Sequence, residues 1–326
     1  MSELHKFMFE GLPVRGMLVR LTDAWQDILR RRSEAGGYPA AVTELLGEMT
    51  AAATLMQANI KFNGALVMQI MGDGPVKLAV AEVQPDLSLR ATATVTGEVA
   101  ADAPLSHMVN VNNQGRCAIT LDPKDRLPGQ APYQGVVPLH GDRREKLEKF
   151  SEVIEHYMLQ SEQLDTRLVL AANEHVAAGL LIQRLPLQGD ANLGASGVVR
   201  ADEDHIGQNE DYNRIAILAA SLKREELLSL DAANILHRLF WEEDVRVFEP
   251  LTGEQGPRFA CTCSRERVGS MLRSLGREEV ESVIAEQGQV EVGCEFCGAQ
   301  YLFDPVDAAQ VFLQAASQPP GPTGVQ

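Results

Sequence analysis

Four of the five cysteines stand in two tight pairs near the C-terminus: Cys261 and Cys263 in "ACTCSRERV", Cys294 and Cys297 in "GCEFCGAQYLF". No other feature of the chain limits its local fold so strongly. Zinc takes four ligands in a tetrahedron, and thiolate pairs from two chain segments supply them readily. The two-residue gap of "CEFC", followed by Gly298, is the form of a knuckle whose backbone amides point at the sulfurs. The one-residue gap of "CTC" is less common, because it constrains how both sulfurs reach one ion. The pattern predicts one Zn2+ held by Cys261, Cys263, Cys294 and Cys297. Iron–sulfur clusters usually space their thiols differently, and four merely buried cysteines would need no pairing.

A metal also accounts for the folding of so small a unit. Residues 249–316 read as a C-terminal zinc domain. Val268, Met271, Leu272 and Leu275 follow helical spacing up to Gly276, and Val280, Val283 and Ile284 form a second short helix ending at Gly288. Asp304-Pro305 opens a last helix. Some sixty residues bury little core. Structural zinc contributes roughly 10–16 kcal/mol of apparent binding energy, as much as the ~5–15 kcal/mol stability of a whole domain. Zinc keeps its sulfurs as nucleophilic thiolates, and cysteines one or two residues apart can form local disulfides once the backbone relaxes. Arg265 and Arg267 are expected to add positive potential beside the first pair. The constellation that folds the unit is therefore one that oxidation can dismantle.

The first 186 residues read as an α+β domain. "VRGMLVRL" is a strand and "AWQDILRRR" begins a helix. Residues 42–62 are Ala-, Leu- and Met-rich and free of proline, which predicts a buried helix. "ALVMQIMGDGPVKLAVAEV" is a hairpin turning at Gly72–Pro75; it lacks the Lys and Ser/Thr offsets of a phosphate-binding loop. Strands follow at "LRATATVTGEV", "GRCAITLDP" and "YQGVVPL". A charged helix spans "DRREKLEKFSEVIEHYMLQSEQL", and "TRLVLAA" and "AAGLLIQRL" pair across "NEHV". Hairpins and helices in this succession argue α+β over a wound parallel sheet. Cys117, on one of these strands, reads as a small buried residue.

Residues 187–248 read as a linker. Its first part, "LQGDANLGASGVVRADEDHIGQNED", is loose and rich in Gly, Asp and Asn. Two short helical patterns follow: 212–228, with Ile215, Leu218, Ala219 and Leu222 on one face, and 232–241, capped by Asp231, with Ile235, Leu236, Leu239 and Phe240. Helices this short need a docking surface to persist in water. Residues 317–326, "SQPPGPTGVQ", read as a disordered tail.

Several function classes lose support. The N-terminal twenty residues are broken by charges, unlike a signal peptide, and no stretch approaches ~18 apolar residues; with reduced clustered thiols this points to a cytoplasmic protein and no membrane partner. The formal net charge is −16, from 29 basic and 45 acidic side chains, with no basic run; this disfavours nucleic acid as a partner. The seven histidines show no H-x-x-x-H pairing and no nucleophile elbow is present, so the sequence offers no catalytic site and an enzyme is not expected. A zinc-ribbon nucleic-acid binder and a thiol–disulfide oxidoreductase using "CEFC" are the alternatives. The oxidoreductase motif belongs at a helix start, whereas strand signals flank it here.

"CTCSRER" with "CEFCGAQYLFD" closely resembles the bacterial redox-regulated chaperone family called heat-shock protein 33. "LHKFMFEGLPVRGMLV", "GDGPVKLAV", "YQGVVPLHGD", "YMLQSEQLDTRL" and "HRLFWEEDVRVF" extend the likeness over nearly the whole chain. The departures are the loose stretch around 188–209 and the Pro-rich tail. The resemblance implies a chaperone core, a metastable linker and a zinc switch, inactive when reduced and zinc-bound. It implies that oxidation pairs Cys261 with Cys263 and Cys294 with Cys297, releases zinc and unfolds the linker. The protein, often as a homodimer, would then hold unfolded client proteins without ATP.

Overall fold

The computed structural model describes residues 1–33, 36–125, 131–185, 207 and 209–316. The tail, and all of the loose stretch except Gly207 and residues 209–211, lie outside the described residues. The chain divides into two compact units, residues 1–260 and 261–326.

The first unit contains strands β1 (Glu3–Phe9), β2 (Val14–Leu21), β3 (Gly64–Met71), β4 (Val76–Val83), β5 (Ser88–Val95) and β6 (Arg116–Pro123). It continues with β7 (Tyr133–Pro138), β8 (Thr166–Ala172), β9 (Ala177–Arg184), β10 (Val245–Val247), β11 (Leu251–Thr252) and β12 (Arg258–Phe259). Its helices are α1 (Asp23–Ser33), α2 (Ala40–Asn59), α3 (Leu105–Val109), α4 (Phe150–Gln160), α5 (Glu210–Ala220), α6 (Arg224–Ser229) and α7 (Ala232–Phe240). One sheet has the order β10-β1-β2-β9-β8, with β11 also on β1; the other runs β12-β5-β4-β3-β6-β7. Neighbours are antiparallel except β12, which lies parallel to β5. The fold is α+β, with the hairpins of the sequence reading in place.

Between the sheets lies α2, apolar on nearly every side, as a helix buried all round must be. Val42, Leu45, Leu46, Met49, Ala52 and Leu55 sink into a core shared with Val19, Leu66, Met68, Ala81 and Leu181. The opposite face of the β1-β2-β9 sheet is apolar too. Phe7, Phe9, Val14, Leu18, Leu180 and Ile182 form a second core with Tyr212, Ile215, Leu227, Ile235, Leu239 and Phe240. This is the docking surface that the short helices require. Gly16 makes room for it, since a Cβ there would fall 2.1 Å from the Phe7 ring.

Two helical segments differ from expectation. The charged helix begins at Phe150, not Asp142, because residues 141–146 make a tight turn. There Gly141 N–H donates to Glu145 O at 2.9 Å and Arg144 takes φ +62°. The pattern at 212–228 is two helices, broken at Ser221–Lys223, where Glu226 Oε2 accepts the Lys223 N–H at 3.0 Å and starts α6 anew. The strands β1 and β10–β12 and helix α3 have no counterpart in the sequence reading.

The second unit holds α8 (Arg265–Leu275), α9 (Arg277–Gln287), the hairpin β13 (Val290–Gly293) and β14 (Gln300–Phe303), and α10 (Pro305–Ala316). Among the described residues its fully buried core is Leu272, Val280, Val290, Phe303 and Ala308. Met271 and Leu275, expected on the inner face of α8, are 43% and 57% exposed, and α8 packs through Val268 and Leu272 instead.

Candidate metal centre

Each cysteine pair sits where an element begins or ends. Cys261 and Cys263 precede α8, whose cap is Ser264, its Oγ accepting the Arg267 N–H at 3.3 Å. Cys294 and Cys297 lie in the turn between β13 and β14, not at a helix start. Cys294 N–H donates to Ala299 O at 2.9 Å and Gly298 N–H to Cys294 O at 2.8 Å. Gly298 closes this knuckle at φ +72°, a left-handed conformation that side chains resist. The register Val290↔Phe303 to Gly293↔Gln300 brings the two ends of the turn together.

All four sulfurs lie within 4.8 Å of one another. Cys261 Sγ is 3.7 Å from Cys294 Sγ, and Cys263 Sγ is 3.3 Å from Cys297 Sγ. A tetrahedron with Zn–S bonds of about 2.3 Å has sulfur–sulfur edges of about 3.8 Å. The donor set and its spacing therefore fit a structural zinc ion, and none of the cysteines is in a disulfide.

The thiols are electrostatically unequal. Burial pushes Cys263 up, but hydrogen bonds from Tyr301 and from the other thiols outweigh it and bring it down to about 7. Burial, opposed by the Ala299 backbone N–H but reinforced by hydrogen bonds with the other three thiols, holds Cys297 far above the usual thiol range. Tyr301 Oη lies 3.1 Å from Cys263 Sγ, and that hydrogen bond raises the phenol to about 12. Arg265 is tied to Asp307 at 2.7 Å with its guanidinium 4.3 Å from the Phe303 ring centre, so its charge is largely matched by a carboxylate. The lowered thiol owes its state to hydrogen bonds, and the expected role of Arg265 is correspondingly reduced. Cys117 lies elsewhere, on β6, where burial pushes it up to about 12. Sequence reasoning missed Tyr301, which reads only as a strand residue.

The family model described as Hsp33 protein matches residues 2–304. The chain belongs to the Hsp33 family. A 33 kDa chaperonin of Chromobacterium violaceum is 46% identical over 311 residues, 95% of this chain and 94% of that protein. Another, of Methylobacillus flagellatus, is 44% identical and covers 98% and 97% of the two chains. The crystal structure of the 33 kDa chaperonin of Thermotoga maritima superposes with a TM-score of 0.70 at 19% identity, covering 98% of this chain and all of that one, which shows a shared fold. Within this Hsp33-family chain the four-cysteine cluster is compatible with redox-regulated zinc binding. No helix among the described residues is long and apolar enough to cross a membrane.

Proposed function

We propose that the protein is a redox-regulated, ATP-independent holdase of the cytoplasm, inactive while reduced and zinc-bound, with no catalytic role. The observation that carries this reading is the second core: an apolar sheet face hidden beneath three helices of 6 to 11 residues. Such helices do not persist without tertiary support. Once they leave, Phe7, Phe9, Leu18, Leu180 and Ile182 form an exposed patch of the kind that binds unfolded chains.

In this reading Cys261, Cys263, Cys294 and Cys297 are both the zinc ligands and the redox-active thiols. Zinc supplies cohesion, holding four thiolates together in a unit whose own buried core is small. A peroxide is the oxidant. One thiolate attacks a peroxide oxygen, the O–O bond breaks, and a sulfenic acid and hydroxide result. The neighbouring thiolate attacks that sulfur, the S–S bond forms, and a second hydroxide leaves. Two electrons per disulfide pass to the peroxide, and two protons convert the hydroxides to water. Pairing within "CTC" and within "CEFC" agrees with the family resemblance, and each bridge closes only when the folded backbone gives way. Bridges across the pairs would close longer loops and tie the unit together.

Loss of this unit is expected to release residues 187–248, the proposed linker, from the 1–186 core. The high negative charge keeps the resulting complexes soluble and disfavours nucleic acid as a partner. Activation is expected to favour a homodimer, detectable as concentration-dependent sedimentation.

The test measures zinc content and light scattering of a heat-denaturing client on one sample, before and after peroxide. About one zinc per chain should be present at first, then lost as scattering falls. Cys294→Ser should lower the metal content, and Cys117→Ser should leave it unchanged. A full zinc complement in Cys294→Ser, or peptide maps dominated by a Cys263–Cys294 bridge, would contradict the mechanism.

A further inference from the structure

The Tyr301 hydroxyl reaches the thiol cluster at Cys263 Sγ, 3.1 Å away. Its position is set by the fold of the unit. Tyr301 stands on β14 opposite Val292, and its ring packs against the small core around Leu272, Val280 and Phe303. A phenylalanine would fill the same space, so the hydroxyl is what this side chain adds to the cluster. An O–H that donates to a thiolate draws electron density from the sulfur. Hydrogen bonds of this kind are shorter and stronger than neutral ones, and groups contacting metal ligands commonly tune a site by 10–100-fold.

We infer that Tyr301 is a positioning residue that restrains Cys263, making its sulfur a poorer nucleophile and a steadier ligand than it would otherwise be. The inference rests on the redox-switch reading of the cluster. Tyr301 thereby sets the oxidant level at which the unit gives way: the hydrogen bond lowers the availability of the sulfur lone pair that an electrophile must meet. The hydroxyl is neither oxidised nor deprotonated in this role; it remains a donor throughout.

The test uses the full-length, zinc-loaded protein and its Tyr301→Phe variant, treated with less than one equivalent of iodoacetamide. In that reaction a sulfur lone pair forms the C–S bond and iodide departs with the C–I electron pair. Mass mapping of the first adduct should show Cys263 gaining about threefold or more in Tyr301→Phe, while the other three thiols change less, the scale being that of contacts to metal ligands. Peroxide-driven zinc release, followed with a chelating dye, should accelerate in parallel. In cobalt-substituted protein the thiolate-to-metal charge-transfer band should move to lower energy, since a sulfur without its donor gives up electrons more easily. Replacing Tyr301 by 4-aminophenylalanine, which keeps the ring and a donor, should return the adduct pattern toward that of the parent, including the case in which Tyr301→Phe fails to hold metal. An unchanged adduct map and an unmoved band, or an equal rise at all four thiols, would overturn the inference. A parent protein that holds no zinc, or keeps it under peroxide, would instead overturn the switch reading, which the adduct map distinguishes.

Discussion

Cys117 and Cys263 show how far apart two thiols of one chain can be set. Cys117, between Ile70 and Val137 in its sheet, is pushed up to about 12 by burial alone, which favours the protonated thiol. Cys263 is drawn down by donors. Glu48 is a second residue whose environment governs its charge. Enclosure on α2, with Glu44 adding like charge, raises it to about 8, while Arg224 and Lys149 oppose the shift. Between its ordinary value of about 4.5 and about 8 the folded state binds more protons than the unfolded one. The stability contributed by Glu48 is therefore complete below about 4.5 and is lost as pH rises to about 8. Glu48→Gln should match the parent in Tm at pH 4 and exceed it increasingly up to pH 8.5. Parallel Tm curves across that range would show that the carboxyl is already ionised in the fold.

Helices α5–α7 are held by polar contacts as well as by their apolar faces. Arg20 of β2 donates to Leu227 O at 2.6 Å and Leu228 O at 3.2 Å, at the end of α6. Arg224 donates to Ala172 O at 2.5 Å and pairs with Glu44. Gly207 N–H donates to Asp165 Oδ1 at 3.0 Å, and Asp165 is itself paired with Arg184 at 2.8 Å. The apolar anchor is Phe240 on α7, whose ring lies 5.0 Å from that of Phe9 and 6.0 Å from that of Phe7. Removing a buried phenylalanine costs about 3–5 kcal/mol, more than three short helices can absorb. Phe240→Ala should make residues 210–240 open to limited proteolysis and give the reduced, zinc-loaded protein measurable holdase activity. Unchanged cleavage together with silence toward clients would mean that the helices do not gate activity.

At the scale of the whole molecule, one sheet has its two faces put to different uses. Its inner face belongs to the core around α2, and its outer face packs against the short helices α5–α7. A chain ending at Leu185 retains α2 and both sheets apart from β10–β12, and it presents the outer face bare. It should suppress client aggregation whatever the redox conditions. Should it fold, by far-UV circular dichroism, and yet suppress nothing, the client surface lies in helices α5–α7 themselves.

Local chemistry made much of this legible beforehand. The cysteine pairs, the Gly72–Pro75 hairpin, the all-round apolar α2 and the Asp231 cap each depend on residues a few positions apart, and each formed where its pattern stood. Periodicity likewise marked the apolar faces of α5 and α7, because burial on one side leaves its period in the sequence. What covers what is another matter. That Phe240 meets Phe9, that Arg20 reaches Leu227, and that β12 adds a parallel edge to β5 are contacts between residues more than 150 positions apart, and no local signal announces them. The Tyr301–Cys263 hydrogen bond belongs with these, spanning 38 positions. The sequence by itself determined the two cysteine pairs and the short amphipathic helices; the tertiary structure decided the surface those helices cover and the hydroxyl that meets one thiol, because packing selects among partners that local propensity leaves equivalent.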